Sequence, residues 1–323
     1  MSVRSLMAVF LAVATFSGNA SAQAPSQSVL QDKVAQMLAG QASAGQEFKD
    51  LEAQLLQAEG VIDYGFYPGA VSPLKSGFTF NLPAETRYDC AMIITPDGPI
   101  PIPASRSRQV FSVSDHGGQK LISISDIEDG NSLVFQLLSD GEATSLLKFT
   151  SSWPGEEFSL EARPDGSLLD RQTGEVFPVN SMEHDLLQTL SHAFIVTNAF
   201  WFEEATQIAV GDPFYQDLDA VLIDIMELMA QEFAPGAKAK MLDSSYVVSG
   251  QVDTDRGPEA LIQGFARAEI TNSDVPDMVI ALSSYQTFNL ETSLPGSMLS
   301  KATVELDHIK MDVVQQQECR QAQ

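Results

Sequence analysis

The chain has 323 residues, 44 % of them hydrophobic, and sets 43 acidic side chains against 18 basic ones for a net charge of −25. That is enough apolar material for a sizeable core, in one large β-rich domain or in two halves. So acidic a surface repels nucleic acid and anionic headgroups, which argues against both as partners and leaves solubility, a basic partner or a cation as its use.

Residues 1–22 read as a secretory signal. Arg4 gives the positive start, Leu6 to Phe16 the short apolar core, and Ala20-Ser21-Ala22 the small-x-small end, so cleavage is expected after Ala22, before Gln23. The segment is too short for a spanning helix, and the longest later uncharged apolar run, Ala193 to Phe202, is about half a span. The expected product is a periplasmic or secreted protein without an integral membrane segment. It carries 17 basic and 43 acidic residues, a net charge of −26.

Residues 23–60 form an N-terminal helical segment. Leu30, Val34 and Met37 mark one stripe after a weak capping box at Ser28, and Phe48, Leu51, Leu55 and Ala58 mark a second after Gly40 to Gly45. Residues 61–180 form a first β-meander half. It opens on an aromatic, Gly- and Pro-rich crossing segment in which Tyr64, Phe66 and Tyr67 either line a ligand rim or anchor the crossing in the core. From Gly77 the apolar period is two, with turns at Pro96 to Pro99, His116 to Gly118 and Asp129-Gly130.

Residues 181–202 read as a connecting helix, with Leu186, Leu187, Leu190 and Phe194 on its apolar face and Phe200-Trp201-Phe202 at its end. Phe194 and Trp201 join Tyr64, Phe66 and Tyr67 as candidate ligand or partner contacts. Residues 203–323 form a second meander half. One helix spans Asp217 to Phe233, and four long strands follow over 240–252, 260–271, 278–290 and 298–314. The turns are placed at Asp255 to Gly257, Asn272 to Asp274 and Leu294-Pro295-Gly296, and the tail from Gln315 is left outside the sheet.

Phe158 to Thr173 matches Phe288 to Thr303 at seven of sixteen positions without a gap. Both stretches read as hairpins, so the two meanders are either a duplication or share only turn chemistry. Cys90 and Cys319 are the only cysteines; in an oxidising compartment they are expected to pair, tying the C-terminal tail to the first sheet.

The four histidines, His116, His184, His192 and His308, are scattered, and no HExxH or Cys/His cluster is present. Neither a GxSxG elbow nor a phosphate-binding glycine loop occurs. Asp253-x-Asp255-x-Gly257 lacks the features of a calcium loop and reads as a turn. Glu156-Glu157 and Glu203-Glu204 are adjacent pairs that point to opposite sides of a strand, unlike the facing carboxylates of a glycosidase. No catalytic residue, cofactor or metal ligand is therefore assigned.

The fold class expected is α+β: two antiparallel meanders on a curved, half-barrel-like sheet, with N-terminal helices and a central helix. The order of export signal, long meander, Phe-x-Leu-Glu hairpin, helix, Val210-Gly211-Asp212 turn and second meander resembles exported bacterial proteins with half-barrel sheets. More distantly it is similar to the periplasmic lipoprotein carriers of the LolA type. The resemblance implies fold more than function; the paired meanders and the absence of a catalytic constellation lead to the expectation of a non-catalytic protein that binds an apolar ligand or an envelope partner between sheet and helices. The present chain is longer and more acidic than those carriers. Two other functions stay open: a carboxylate-dependent hydrolase of envelope material, and a structural interaction module.

Overall fold

The computed structural model describes residues 25–74, 78–80, 85–99, 102–139, 144–153, 157–179, 181, 184–185, 187, 206–213, 218–231, 236–272, 275–306 and 309–322. The expected signal sequence, Glu156, His192, His308, Glu203-Glu204, Phe194, Trp201 and nearly all of the expected connecting helix lie outside these residues. His184, Asp185 and Leu187 alone of that helix are described as helical.

Two helices come first, α1 (Pro25–Leu38) and α2 (Gln46–Glu59), followed by strands β1 (Phe78–Phe80), β2 (Thr86–Asp97), β3 (Ser105–His116), β4 (Gln119–Glu128), β5 (Asn131–Ser139) and β6 (Thr144–Ser151). The chain continues through β7 (Phe158–Ala162), β8 (Leu168–Asp170), β9 (Val176–Phe177), β10 (Thr206–Ile208) and helix α3 (Leu218–Gln231). It ends in β11 (Lys238–Thr254), β12 (Gly257–Asn272), β13 (Val275–Asn289), β14 (Pro295–Leu306) and β15 (Ile309–Gln321).

All but β1 and β10 belong to one curved, antiparallel 13-stranded sheet in the order β11-β12-β13-β14-β15-β2-β3-β4-β5-β6-β7-β8-β9. The two expected meanders thus share one sheet, because β15 pairs with β2 over ten residues, from Asp312 with Asp97 to Gln321 with Tyr88. The tail from Gln315, left unpaired in the sequence reading, is part of this strand. Its polar run hid the pairing: Gln315, Gln317 and Cys319 turn inward while Gln316, Glu318 and Arg320 turn outward, so the period of two is present but carried by amides rather than hydrocarbons.

The single long strand expected over 298–314 is two strands, β14 and β15, which pair from Leu306 with Ile309 outward. The turn expected at Leu294 to Gly296 lies earlier, at residues 290–292. There the Asn289 side-chain oxygen accepts from the Glu291 and Thr292 amides at 3.0 and 2.9 Å, an Asx turn that outweighs the Pro-Gly signal. Pro295 instead opens β14. The matched hairpins also differ in register. Leu160 pairs with Asp170, but Leu290 sits in the turn and Ser300 pairs with Ser284, so the residue match does not carry over into backbone pairing.

The sheet has two faces, set by the alternation along each strand. One carries Val247, Phe265 and Tyr285 and is covered by α1 and α2. Leu30, Val34 and Met37 of α1 and Phe48 and Leu55 of α2 pack there with Ile62, Tyr64 and Phe66; the first stripe read from the sequence is core, whereas in the second Leu51 is half-buried and Ala58 exposed. Phe48 and Tyr64 both meet the ring of Phe265 edge-on, at 5.8 and 5.7 Å between centroids. Below them Glu52, 6 % exposed, accepts from the Tyr64 hydroxyl and from Lys49 Nζ at 3.0 Å, while Ser245 Oγ lies 2.7 Å from the Tyr64 oxygen.

The other face carries Cys90 and Cys319, which sit opposite each other in the β15–β2 register and form a disulfide with Cα atoms 4.0 Å apart. On this disulfide face the main core runs across the whole sheet. It takes in Tyr88, Phe111, Ile122, Leu137, Phe149 and Leu160 from one wing and Val248, Ile262 and Phe288 from the other, with Phe78, Ile208 and Leu187 laid over it. The Tyr88 and Phe111 rings stack at 4.8 Å.

Candidate functional site

The disulfide face changes character along the strands. Next to the main core lies a belt of buried polar side chains: Gln286 on β13, Ser300 on β14, Gln315 and Gln317 on β15, Gln109 on β3 and Asp126 on β4, each 9 % exposed or less. Two of its amides have soft partners, while Gln109 Nε2 donates to the Asp126 carboxylate at 3.3 Å. Gln315 Nε2 donates to the Met92 sulfur at 2.9 Å and Gln317 Nε2 to the Cys319 sulfur at 3.2 Å. Thioether and disulfide sulfurs are weak acceptors, so a belt held this way is polar yet only lightly satisfied.

Beyond the belt the face turns apolar again. Register places Leu282, Ala302 and Val313 side by side on β13, β14 and β15, and Ile280, Val304 and Met311 in the next row. Ala302 and Val313 are buried, whereas Ile280, Leu282, Val304 and Met311 are only half-buried. At one end of this strip α3 packs through Met226 and Ala230 onto Ile270, Met278 and Ile280. At the other, Met92 and Ile94 of β2 pack with Val313 and Met311. From β13 to β2 the strip crosses three strand spacings, about 14 Å.

Past Ile94 the strip opens into a cleft of about 320 Å3, including its solvent-open part, lined by Met92, Ile94, Ser105, Ser107, Asp126, Glu128, Leu133 and Trp153. The register explains how four strands and a loop meet there: Met92 pairs with Ser107, Ile94 with Ser105, Asp126 with Leu133, and Leu133 with Ser151, two residues before Trp153. Burial pushes the Asp126 carboxyl above the usual carboxylate range, opposed by the side chains of Ser107 and Gln109. Glu128 is raised as well, first by burial and then by the charges of Asp126 and Asp129. Two residues apart on one strand, Asp126 and Glu128 rise from the same wall of the cleft. They do not face each other across a substrate bond as a glycosidase pair does.

Of the aromatics singled out in the sequence, Tyr64, Phe66 and Tyr67 lie on the other side of the sheet; Phe194 and Trp201 are outside the described residues. Tyr64 and Phe66 are 2 % and 7 % exposed in the core beneath the N-terminal helices. Burial and the Glu52 carboxylate hold the Tyr64 phenol well above its ordinary range. Tyr67 is half-buried and meets the Tyr285 ring edge-on at 5.2 Å. Near it Arg256 forms a bidentate pair with Glu259, which is fully buried, at 2.8 and 3.2 Å, and reaches Glu318 on β15 at 2.9 Å. That cluster ties the β11–β12 turn, Asp253 to Gly257, to the last strand.

The sequence reading did not reach the residues of the strip and cleft. Asp126, Glu128 and Ser107 lie in ordinary alternating strands, and only the unusual inward position of an Asp among Ile122, Ile124 and Leu133 marks them. Among the described residues no group of three or more His, Cys, Asp and Glu is placed to hold a metal ion, and no helix is long and apolar enough to cross a membrane.

No known family model and no curated protein matches the sequence. Solved structures with weak likeness include a lipovitellin structure titled for its lipid–protein interactions, at 10 % identity and a TM-score of 0.30, over 76 % of this chain and 25 % of that one. Another is a DUF1329 family protein from Desulfovibrio piger, at 8 % identity and a TM-score of 0.21, over 73 % of this chain and 86 % of that one. This chain therefore spans about a quarter of the lipovitellin chain that it matches.

Proposed function

We propose that the protein is a non-catalytic binder of an apolar ligand, held on the disulfide face along the strip between α3 and the cleft. The observation that carries this reading is the strip itself. Ile280, Leu282, Val304 and Met311 stand in two adjoining rows, half-buried, on a face whose main core lies on the other side of a polar belt. Hydrocarbon left partly in water next to a helix as apolar as α3 is stabilised by any hydrocarbon laid on it, by about 25 cal/mol for each Å2 covered. The unbranched side chains of Met226, Met278 and Met311 suit a surface that adapts to a flexible chain. By contrast, Phe48 and Leu55 of α2 are buried inside the molecule, which leaves an interaction module little apolar helix surface to offer.

The test is native mass spectrometry of protein purified from the compartment to which it is exported, before and after organic extraction, followed by titration of the extracted protein with a fluorescent fatty acyl probe. A co-purifying mass, with probe binding that Leu282→Asp weakens at least tenfold, is the expected result. No adduct and no probe binding would remove the reading.

A further inference from the structure

The cleft at the end of the strip is unusual in its unmet hydrogen bonds. Three residues of its lining carry a buried atom that has no hydrogen-bond partner among the described residues: Asp126 Oδ1, Ser107 Oγ and Trp153 Nε1. Asp126 is 9 % exposed; its other oxygen accepts from Gln109 Nε2 at 3.3 Å, and the Ser107 hydroxyl stands near enough to favour its charged form without closing a well-formed hydrogen bond. Buried polar groups are ordinarily satisfied, so unmet atoms on three residues that line one cleft point to something that fills it. The cleft has room for one oxygen-sized group. The rest opens past Met92, Ile94 and Leu133, which are hydrocarbon or thioether.

The three atoms differ in what they need. Trp153 can only donate, an ionised Asp126 can only accept, and Ser107 does either. A single small group that accepts from Trp153 and Ser107 and donates to Asp126 is a hydroxyl. An ammonium has no lone pair for the indole N–H. A carboxylate has no proton for Asp126 and meets the negative charge of both Asp126 and Glu128. We infer that the cleft seats the hydroxyl headgroup of an uncharged amphiphile, with its tail passing over Met92 and Ile94 onto the apolar strip. The tail rests on the function proposed above; the seat for the hydroxyl stands on the cleft alone.

The experiment uses 15N-labelled full-length protein and four eight-carbon probes: 1-octanol, octyl methyl ether, octanoate and octylamine. The readout is the indole N–H resonance of Trp153, identified by its loss in Trp153→Phe. At neutral pH 1-octanol is expected to shift this resonance and to bind about tenfold more tightly than the ether, which cannot donate to Asp126. Octanoate and octylamine are expected to bind more weakly than the alcohol. Asp126→Leu should bring the alcohol down to the affinity of the ether and leave the ether unchanged. Should that variant not fold, Trp153→Phe, at a half-buried position and followed through the backbone amide resonances of Ser105 and Ser107, is expected to weaken the alcohol severalfold.

If all four probes bind alike and the Trp153 resonance stays in place, the hydroxyl seat is overturned while the apolar strip stands. A long-lived water that remains beside the Trp153 indole at saturating octanol also overturns it, since the cleft then holds structural water alone. Binding of none of the probes removes the seat and the strip together.

Discussion

Replacing Cys90 and Cys319 together by alanine tests how the two wings of the sheet are joined. The pair closes a sequence separation of 229 residues and bridges the β15–β2 seam, the pairing that joins β11–β15 to β2–β9. In the chain-entropy model, removing a cross-link over so long a loop frees the unfolded chain by about 5 kcal/mol. With an unfolding entropy of about 2 cal/mol/K per residue, a chain of this size should lose roughly 8 °C in Tm. The folded state should change little, because ten backbone pairs hold the seam without the sulfurs. Circular dichroism at low temperature should thus be unaltered while thermal unfolding moves down, and reduced wild-type protein should melt with the variant. A Tm within about 2 °C of the oxidised wild type would refute the reasoning, because the unfolded chain would then gain nothing from the broken link. A variant unfolded at all temperatures would refute it in the other direction, since the ladder alone would then be too weak to hold the wings together.

Three further changes probe other parts of the molecule. Arg256→Met strands the fully buried carboxylate of Glu259 and is expected to cost about 3–5 kcal/mol in urea unfolding; adding Glu259→Gln should recover a good part of it. Phe265→Ala opens a hole between Phe48 and Tyr64 and should cost about 3–5 kcal/mol by the same assay, with the N-terminal helices losing amide-exchange protection first. Asp126→Asn should remove a contribution to stability that grows as pH falls. The folded-state pKa of Asp126 is raised by burial, so its contribution is full below the ordinary value of 3.8 and is lost as pH rises through the higher folded value. The asparagine variant should equal or exceed the wild type at neutral pH and lose that advantage in acid; a difference independent of pH would count against the assignment.

Much of this fold could be read from the chain, because its elements announce themselves locally. Leu30, Val34 and Met37, and then Phe48 and Leu55, recur at helical spacing, and each became the buried stripe of a helix. Alternation in Tyr88, Cys90 and Met92, or in Ile122 and Ile124, placed strands and their inward faces, since a strand can show a half-covered sheet only every second residue. The two cysteines, once read as partners, located the contact between the first sheet and the tail.

Pairing between distant strands was decided by the tertiary structure. Nothing near Gln315 or Gln317 states that β15 lies beside β2, since inward amides give no hydrophobic signal and the disulfide alone does not set ten residues of register. The turn at residues 290–292 was missed for a similar reason: an Asn side chain closing on its own backbone competes with the visible Pro-Gly pair, and geometry selects between them. The strip and the cleft are further still from sequence view. Leu282, Val313, Ile94 and Asp126 are ordinary strand residues until four strands distant in the chain are laid side by side at about 4.8 Å. Local pattern fixes which way a side chain points; the sheet order alone fixes what it points beside.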